Sequence, residues 1–136
     1  MLKPSSIVLV ALLLAGCAGM SAAPPGGTAA TVTGTAAYRE RIAMLPGAVF
    51  EATLLDVSRQ DAPAVELGSF RVEDPGRIPI AFEIRYDPAR IDARHRYVVR
   101  ARIFNGDRLM FTTDRAYPVL THGNGHEVDM LLIKGQ

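Results

Sequence analysis

Three groupings of residues have types and spacings that chemistry uses. His122-Gly123-Asn124-Gly125-His126 sets two imidazoles four positions apart, a spacing that binds metal when it falls on one face of a helix. Two glycines and an asparagine between them favour a loop instead. No cysteine or carboxylate motif accompanies the pair, so the expectation is a solvated turn before the last strand, with metal binding at His122 and His126 as the open alternative. Asp56, Ser58 and Asp61 combine a hydroxyl with two carboxylates, the ingredients of hydrolysis. No histidine is near them in sequence, and turn-type hydrogen bonds to the backbone explain these residue types more simply. His95 lies between Arg94 and Arg96 and reads as exposed. The sequence therefore assigns no catalytic residue, no metal and no cofactor, and an enzyme is the least expected class. The third grouping surrounds the only cysteine, Cys17, which has no second thiol with which to form an internal disulfide.

The context of Cys17 explains it. Met1-Leu2-Lys3 gives a short positive start, and Ile7 to Leu14 is an uninterrupted apolar run. The run is too short to span a bilayer, which takes about 20 apolar residues, but it has the flanks and length of a signal-peptide core. It ends in Leu14-Ala15-Gly16-Cys17, which resembles a lipobox. That resemblance implies that residues 1–16 are removed as a signal peptide, and that Cys17 is lipidated on sulfur and becomes the first mature residue. Two acyl chains give stable anchoring, since each buried CH₂ contributes roughly 0.8 kcal/mol. Position 18 is Ala rather than Asp, which in the lipoprotein sorting pattern implies the outer membrane of a bacterial envelope, with the domain facing the periplasm.

The chain carries 15 Lys+Arg and 14 Asp+Glu, so loss of Lys3 with the signal leaves 15 − 1 = 14 cations against 14 anions. A neutral chain argues against a nucleic-acid partner, which selects a basic excess. Trp is absent, which weakens a sugar-stacking role.

Residues 17–31 read as a lipidated N-terminus and flexible linker. The stretch 18–31 has no charge and little bulk, so it cannot bury enough apolar area to offset chain entropy. It reaches about 45 Å fully extended and averages roughly 20 Å as a coil. Residues 32–136 suit one domain. Short apolar or alternating runs punctuated by Gly, Pro, Asn and Asp predict strands over 32–39, 48–57, 65–72, 80–86, 97–104, 108–113 and 128–133. The fold class expected is all-β, a small antiparallel β-sandwich of about seven strands. Asp87-Pro88 is the one start signal for a helical turn.

Alternation assigns faces. Phe50, Ala52, Leu54 and Asp56 share the side expected to face the core, because the other side carries Glu51, which is costly to bury, together with Val49, Thr53 and Leu55. Ile80, Phe82, Ile84 and Tyr86 share a face against Ala81, Glu83 and Arg85. Around Asn105-Gly106, a two-residue turn places Leu109 and Phe111 on the face of Arg100 and Arg102. A three-residue loop, Phe104 to Gly106, pairs Ala101 with Leu109 and Val99 with Phe111 instead. Because a one-residue slip flips every side chain, the second arrangement, with a bulge at Gly106, is the one predicted.

From Val32 onward the chain resembles the YbaY-like lipoproteins, a family grouped with the YscW-type pilotins of type III secretion. The stretches that carry the resemblance are Val32 to Arg41, Leu45-Pro46-Gly47-Ala48, Leu55 to Pro63, Pro79 to Phe82, Tyr86-Asp87-Pro88, Tyr97 and Gly106 to Phe111. It implies a lipid-anchored β-sandwich, a membrane contact through lipid, and no catalytic residues. Three functions follow as expectations. The first is a non-catalytic, pilotin- or chaperone-like module that binds an envelope or outer-membrane protein through residues the sequence does not identify. The second is an envelope-maintenance lipoprotein without a single client, and the third a sugar- or small-ligand-binding sandwich.

Overall fold

The computed structural model describes residues 29–136; the expected signal segment, Cys17 and most of the expected linker lie outside them. Eight strands account for nearly all of the regular structure: β1 (Ala30–Tyr38), β2 (Ala48–Asp56), β3 (Val65–Glu73), β4 (Ile80–Tyr86), β5 (Tyr97–Asn105), β6 (Arg108–Thr113), β7 (Tyr117–Val119) and β8 (Glu127–Lys134). The all-β expectation stands, with one strand more than expected. The missed strand, β7, is three residues long and contains Pro118, which the usual strand signals demote. β1 also starts earlier than expected. Ala30 and Thr31, placed by sequence in the linker, pair with Tyr86 and Arg85 of β4. A single 3₁₀ turn, Pro88–Arg90, is capped as the sequence implied, with the Asp87 carboxylate accepting from the Ala89 amide at 2.9 Å.

All eight strands belong to one sheet, seven of them in the order β3-β2-β5-β6-β8-β1-β4, with β7 off that path and paired to β5. The sandwich expectation thus takes the form of a single sheet curled on itself until its two end strands, β3 and β4, lie against each other. At that seam Gly68 packs on the backbone carbonyl of Arg85 and on Ile84, leaving no room for a side chain. Ladders are antiparallel except one. β1 and β8 run parallel, from Thr33 opposite Glu127 to Tyr38 opposite Leu132, which joins the two ends of the domain. Gly34 permits that approach, because a Cβ there would overlap the Val128 carbonyl.

The interior is filled as alternation required. Phe50, Ala52 and Leu54 of β2, Ile80, Phe82 and Ile84 of β4, and Val99, Ala101 and Ile103 of β5 are all buried. Phe50 lies between Phe70 and Phe82, with ring centroids 6.3 and 6.2 Å away. Tyr38 and Phe111 stack at 4.1 Å.

The β5–β6 hairpin corrects the predicted loop. Asn105 pairs with Arg108, so the turn is Gly106-Asp107, with Gly106 at φ 59°. The bulge falls at Met110, since Phe104 pairs with Leu109 but Ile103 pairs with Phe111. Phe111 reaches the core, the outcome the argument sought, whereas Leu109 stays on the outer side opposite Phe104 rather than Ala101. The extra residue can sit anywhere between the turn and Phe111. Placing it at Met110 lets glycine take the positive φ at the first turn position.

Candidate functional site

β1 runs from Ala30 at one end of the barrel to Tyr38 at the other. At the Ala30 end the structure assembles what the sequence kept apart. Asp56 ends β2 and His95 precedes β5, and His95 Nδ1 lies 2.7 Å from Asp56 Oδ2. The other carboxylate oxygen accepts from the Ser58 amide at 2.9 Å. Partial burial pushes the Asp56 carboxyl up, but hydrogen bonds from the Ser58 hydroxyl and amide and from His95, with the attraction of His95, outweigh it and hold the group below the usual carboxylate range. Next to it, the Asp92 carboxyl is held far below that range by the Arg94 side chain and amide. His95, which the sequence reads as exposed, has a side chain 43% exposed and tied to a carboxylate.

Asp, His and Ser now lie together, but their order is wrong for a nucleophile. A catalytic serine must give its proton to the imidazole. Here Ser58 serves Asp56, and its Oγ also accepts from the Arg96 amide at 2.8 Å. The Thr121 hydroxyl donates to the His95 carbonyl at 2.6 Å. The cluster thus laces the loop after β2 to the loops before β5 and after β7. Asp61 is exposed and outside it. His122 and His126 are exposed in the loop before β8, His122 at φ 56°. Among the described residues no three His, Cys, Asp or Glu side chains converge as metal ligands would.

The opposite end is closed by the segment after β1. The Tyr38 hydroxyl donates to the Ile42 carbonyl at 3.0 Å, and Asp74 accepts from the Gly47 amide at 2.6 Å. Phe104 is half-buried beneath the Arg102 guanidinium, 5.3 Å from its ring centre.

A groove of about 750 Å³ with the dimensions of a binding site lies on the outer face of the sheet, and a second of about 450 Å³ lies over β1 and β4 beside Thr35, Phe70 and Ala81. The floor of the larger comes from Thr53 and Leu55 of β2, Val57 just after it, and Val98 of β5. These residues point away from the core, yet Thr53 and Val98 are only 8% and 5% exposed, because the curled sheet shelters them. One wall is an irregularity between β6 and β7. Arg102 pairs with Thr112 and Val99 with Tyr117, so four residues span a stretch where β5 has two. Asp114 and Arg115 loop outward and line the groove, as bulges beside binding sites do. Arg100 stands at that interruption and Glu66 of β3 forms the far wall. Sequence reasoning missed this site, although a signal existed. Leu54-Leu55 and Val98-Val99 each place an apolar residue on both faces of a strand, which one core cannot use.

The chain matches, over residues 28–132, the family described as type III secretion system lipoprotein chaperones, YscW. The chain belongs to that family. Within and around the YscW family, it is 33% identical over 149 aligned positions to the uncharacterized lipoprotein YbaY of Escherichia coli strain K12, with 97% of this chain and 78% of the relative covered. At most about four of the 136 residues can lie outside an alignment of that coverage, so it runs across position 17. The fold matches the solved structure of an alternative pilotin from the type II secretion system of Vibrio cholerae at TM-score 0.77 and 40% identity, covering 80% of this chain and 99% of that one. The resemblance to YbaY-like and YscW-type lipoproteins read from the sequence is thereby confirmed. The two secretion systems in those descriptions differ.

Proposed function

We propose that this chain is a non-catalytic lipoprotein of the bacterial outer membrane, anchored through Cys17, whose domain holds a segment of an envelope protein during that protein's delivery. The observation that carries the reading is the outer-face groove. An apolar floor, a polar wall and a volume of about 750 Å³ lie on a sheet face the core does not use. Pilotin and chaperone relatives support a protein as the occupant. The anchor is supported by Leu14-Ala15-Gly16-Cys17 and by an aligned relative named a lipoprotein. Since β1 starts at Ala30, the tether is residues 18–29, reaching about 40 Å when extended. It keeps the groove near the membrane without pressing the domain onto it.

A photo-crosslinking side chain placed at Thr112 in cells tests the groove. It is expected to capture one envelope protein, a secretin being the first candidate, while the same group at the exposed Arg90 on the 3₁₀ turn captures none. No specific product at Thr112, or the same products at both positions, would sink the reading. Cys17→Ser is expected to release the chain from membranes and abolish metabolic labelling by a lipid precursor. An unchanged membrane fraction would remove the anchor.

A further inference from the structure

The two end strands of the sheet carry backbone groups that no ladder uses. β4 pairs with β1 and β3 pairs with β2, but β3 and β4 meet without a ladder between them. Alternation fixes which groups are left over. The Thr33 amide donates to the His126 carbonyl at 2.9 Å, so the backbone groups of Thr33 face β8. Those of Val32, Gly34 and Ala36 then face β4, where their partners are Ile84, Phe82 and Ile80. The amides and carbonyls of Ala81, Glu83 and Arg85 therefore point the other way, into the seam with β3.

The seam differs along its length. At the Tyr86 end the Arg85 carbonyl is covered by Gly68. Toward Ile80, Ala81 and Glu83 instead border the groove of about 450 Å³, together with Phe70 of β3 and Phe82. Glu83, Glu127 and Asp129 also line it, and no cation does. Arg85 approaches Glu83 at 3.5 Å, but with side chains 79% and 51% exposed the pair is too solvated to neutralise the carboxylate.

A row of amides and carbonyls along one strand is matched by the backbone of another, whereas a helix satisfies its own. In a strand added to β4, the residue opposite Glu83 lies on the outer face with it. The residues on either side of that one turn inward, toward Phe70 and Phe82.

We infer that the β4 edge at Ala81 and Glu83 is a second protein-binding site, separate from the larger groove. It takes an extended segment of a partner as an added strand, with a cation opposite Glu83 and an apolar residue on each side of that cation.

Hydrogen exchange on the processed chain carrying Cys17→Ser reads the edge directly. In the free protein the amides of Ala81 and Glu83 are expected to exchange at least about a hundredfold faster than those of Phe82 and Ile84, which donate to β1. Comparable protection of all four overturns the inference. The peptide Ser-Thr-Val-Lys-Val-Thr-Ser then serves as the probe, read by fluorescence anisotropy, and its binding is expected to slow exchange at Ala81 and Glu83. Methylating the amide of its Lys removes a donor to β4 and should weaken binding about tenfold. Methylating the amide of its second Val, which points away from β4, should leave binding intact. Replacing its Lys by Glu should weaken binding by up to about fivefold, and Glu83→Lys in the protein should reverse that preference. Glu83 is exposed, and circular dichroism verifies that the variant folds. No binding by the parent peptide, binding without protection of Ala81 and Glu83, equal losses from the two methylations, or an unreversed preference in Glu83→Lys overturns the inference.

Discussion

The Tyr117 hydroxyl donates to the Leu131 carbonyl at 3.1 Å and accepts from the Leu131 amide at 2.9 Å. The ladder between β6 and β8 ends at Thr113 opposite Leu132, and below it β7 and β8 are joined by this phenol instead. One side chain takes the place of the next rung and satisfies both polar groups of a β8 residue that faces away from β1. Tyr117→Phe leaves the ring but strands both groups, so it is expected to cost about 1–3 kcal/mol. Denaturant unfolding measures the loss, and faster hydrogen exchange at the Leu131 amide localises it. Unchanged exchange there would show that the rung carries no stability.

Gly34→Ala is expected to be more damaging than its size suggests. The added methyl would overlap the Val128 carbonyl and crowd the Phe82 ring, so β1 and β8 must separate. A cost of at least about 3 kcal/mol follows, the upper end for overpacking, read as a large fall in melting temperature or as insoluble protein. Wild-type stability in this variant would mean that the parallel pair is looser than described.

Phe50→Ala should cost about 3–5 kcal/mol, because the ring is fully buried between Phe70 and Phe82 and its loss opens a cavity the curled sheet cannot collapse. Urea unfolding checks it, with an unchanged slope as the sign that the fold persists.

Asp56 sets part of the acid response. Its carboxyl is held below the ordinary value in the folded state, so the stability it supplies is present above the unfolded pKa of about 4 and is lost as pH falls through the lower folded value. Asp56→Asn should lower stability at pH 7 by about 1–2 kcal/mol, since charge-assisted hydrogen bonds from Ser58 and His95 are lost. It should also flatten the decline between about pH 5 and 2. Parallel wild-type and variant curves over that range would contradict the assignment.

Much of the domain is legible from residue order because a strand's two faces are set locally. Ile80, Phe82 and Ile84 alternate with Ala81, Glu83 and Arg85, and the core takes the first set. The Asp87-Pro88 cap is equally local. The hairpin was legible only in its result. Phe111 had to share a face with Ile103, but whether the extra residue sat at Gly106 or Met110 is a choice of small energy differences within one loop. β7 escaped because three residues around a proline hold no periodicity, and its existence depends on β5 being there to pair with.

By itself the sequence determined the near-neutral charge, seven of the eight strands and the faces that β2, β4 and β5 bury, since these rest on side-chain chemistry within a few residues. Tertiary structure alone decided the parallel pairing of β1 with β8, the closing of β3 on β4, the meeting of His95 with Asp56 across 39 positions, and the outer groove. Those are choices of partner between distant segments. They are made by which closure of the whole sheet buries the most apolar surface without stranding backbone polar groups, a sum no local stretch contains. Leu55 and Val98 show the division. Their apolar character on the unexpected face is written in the sequence, but only the curl of the sheet turns it into the floor of a site.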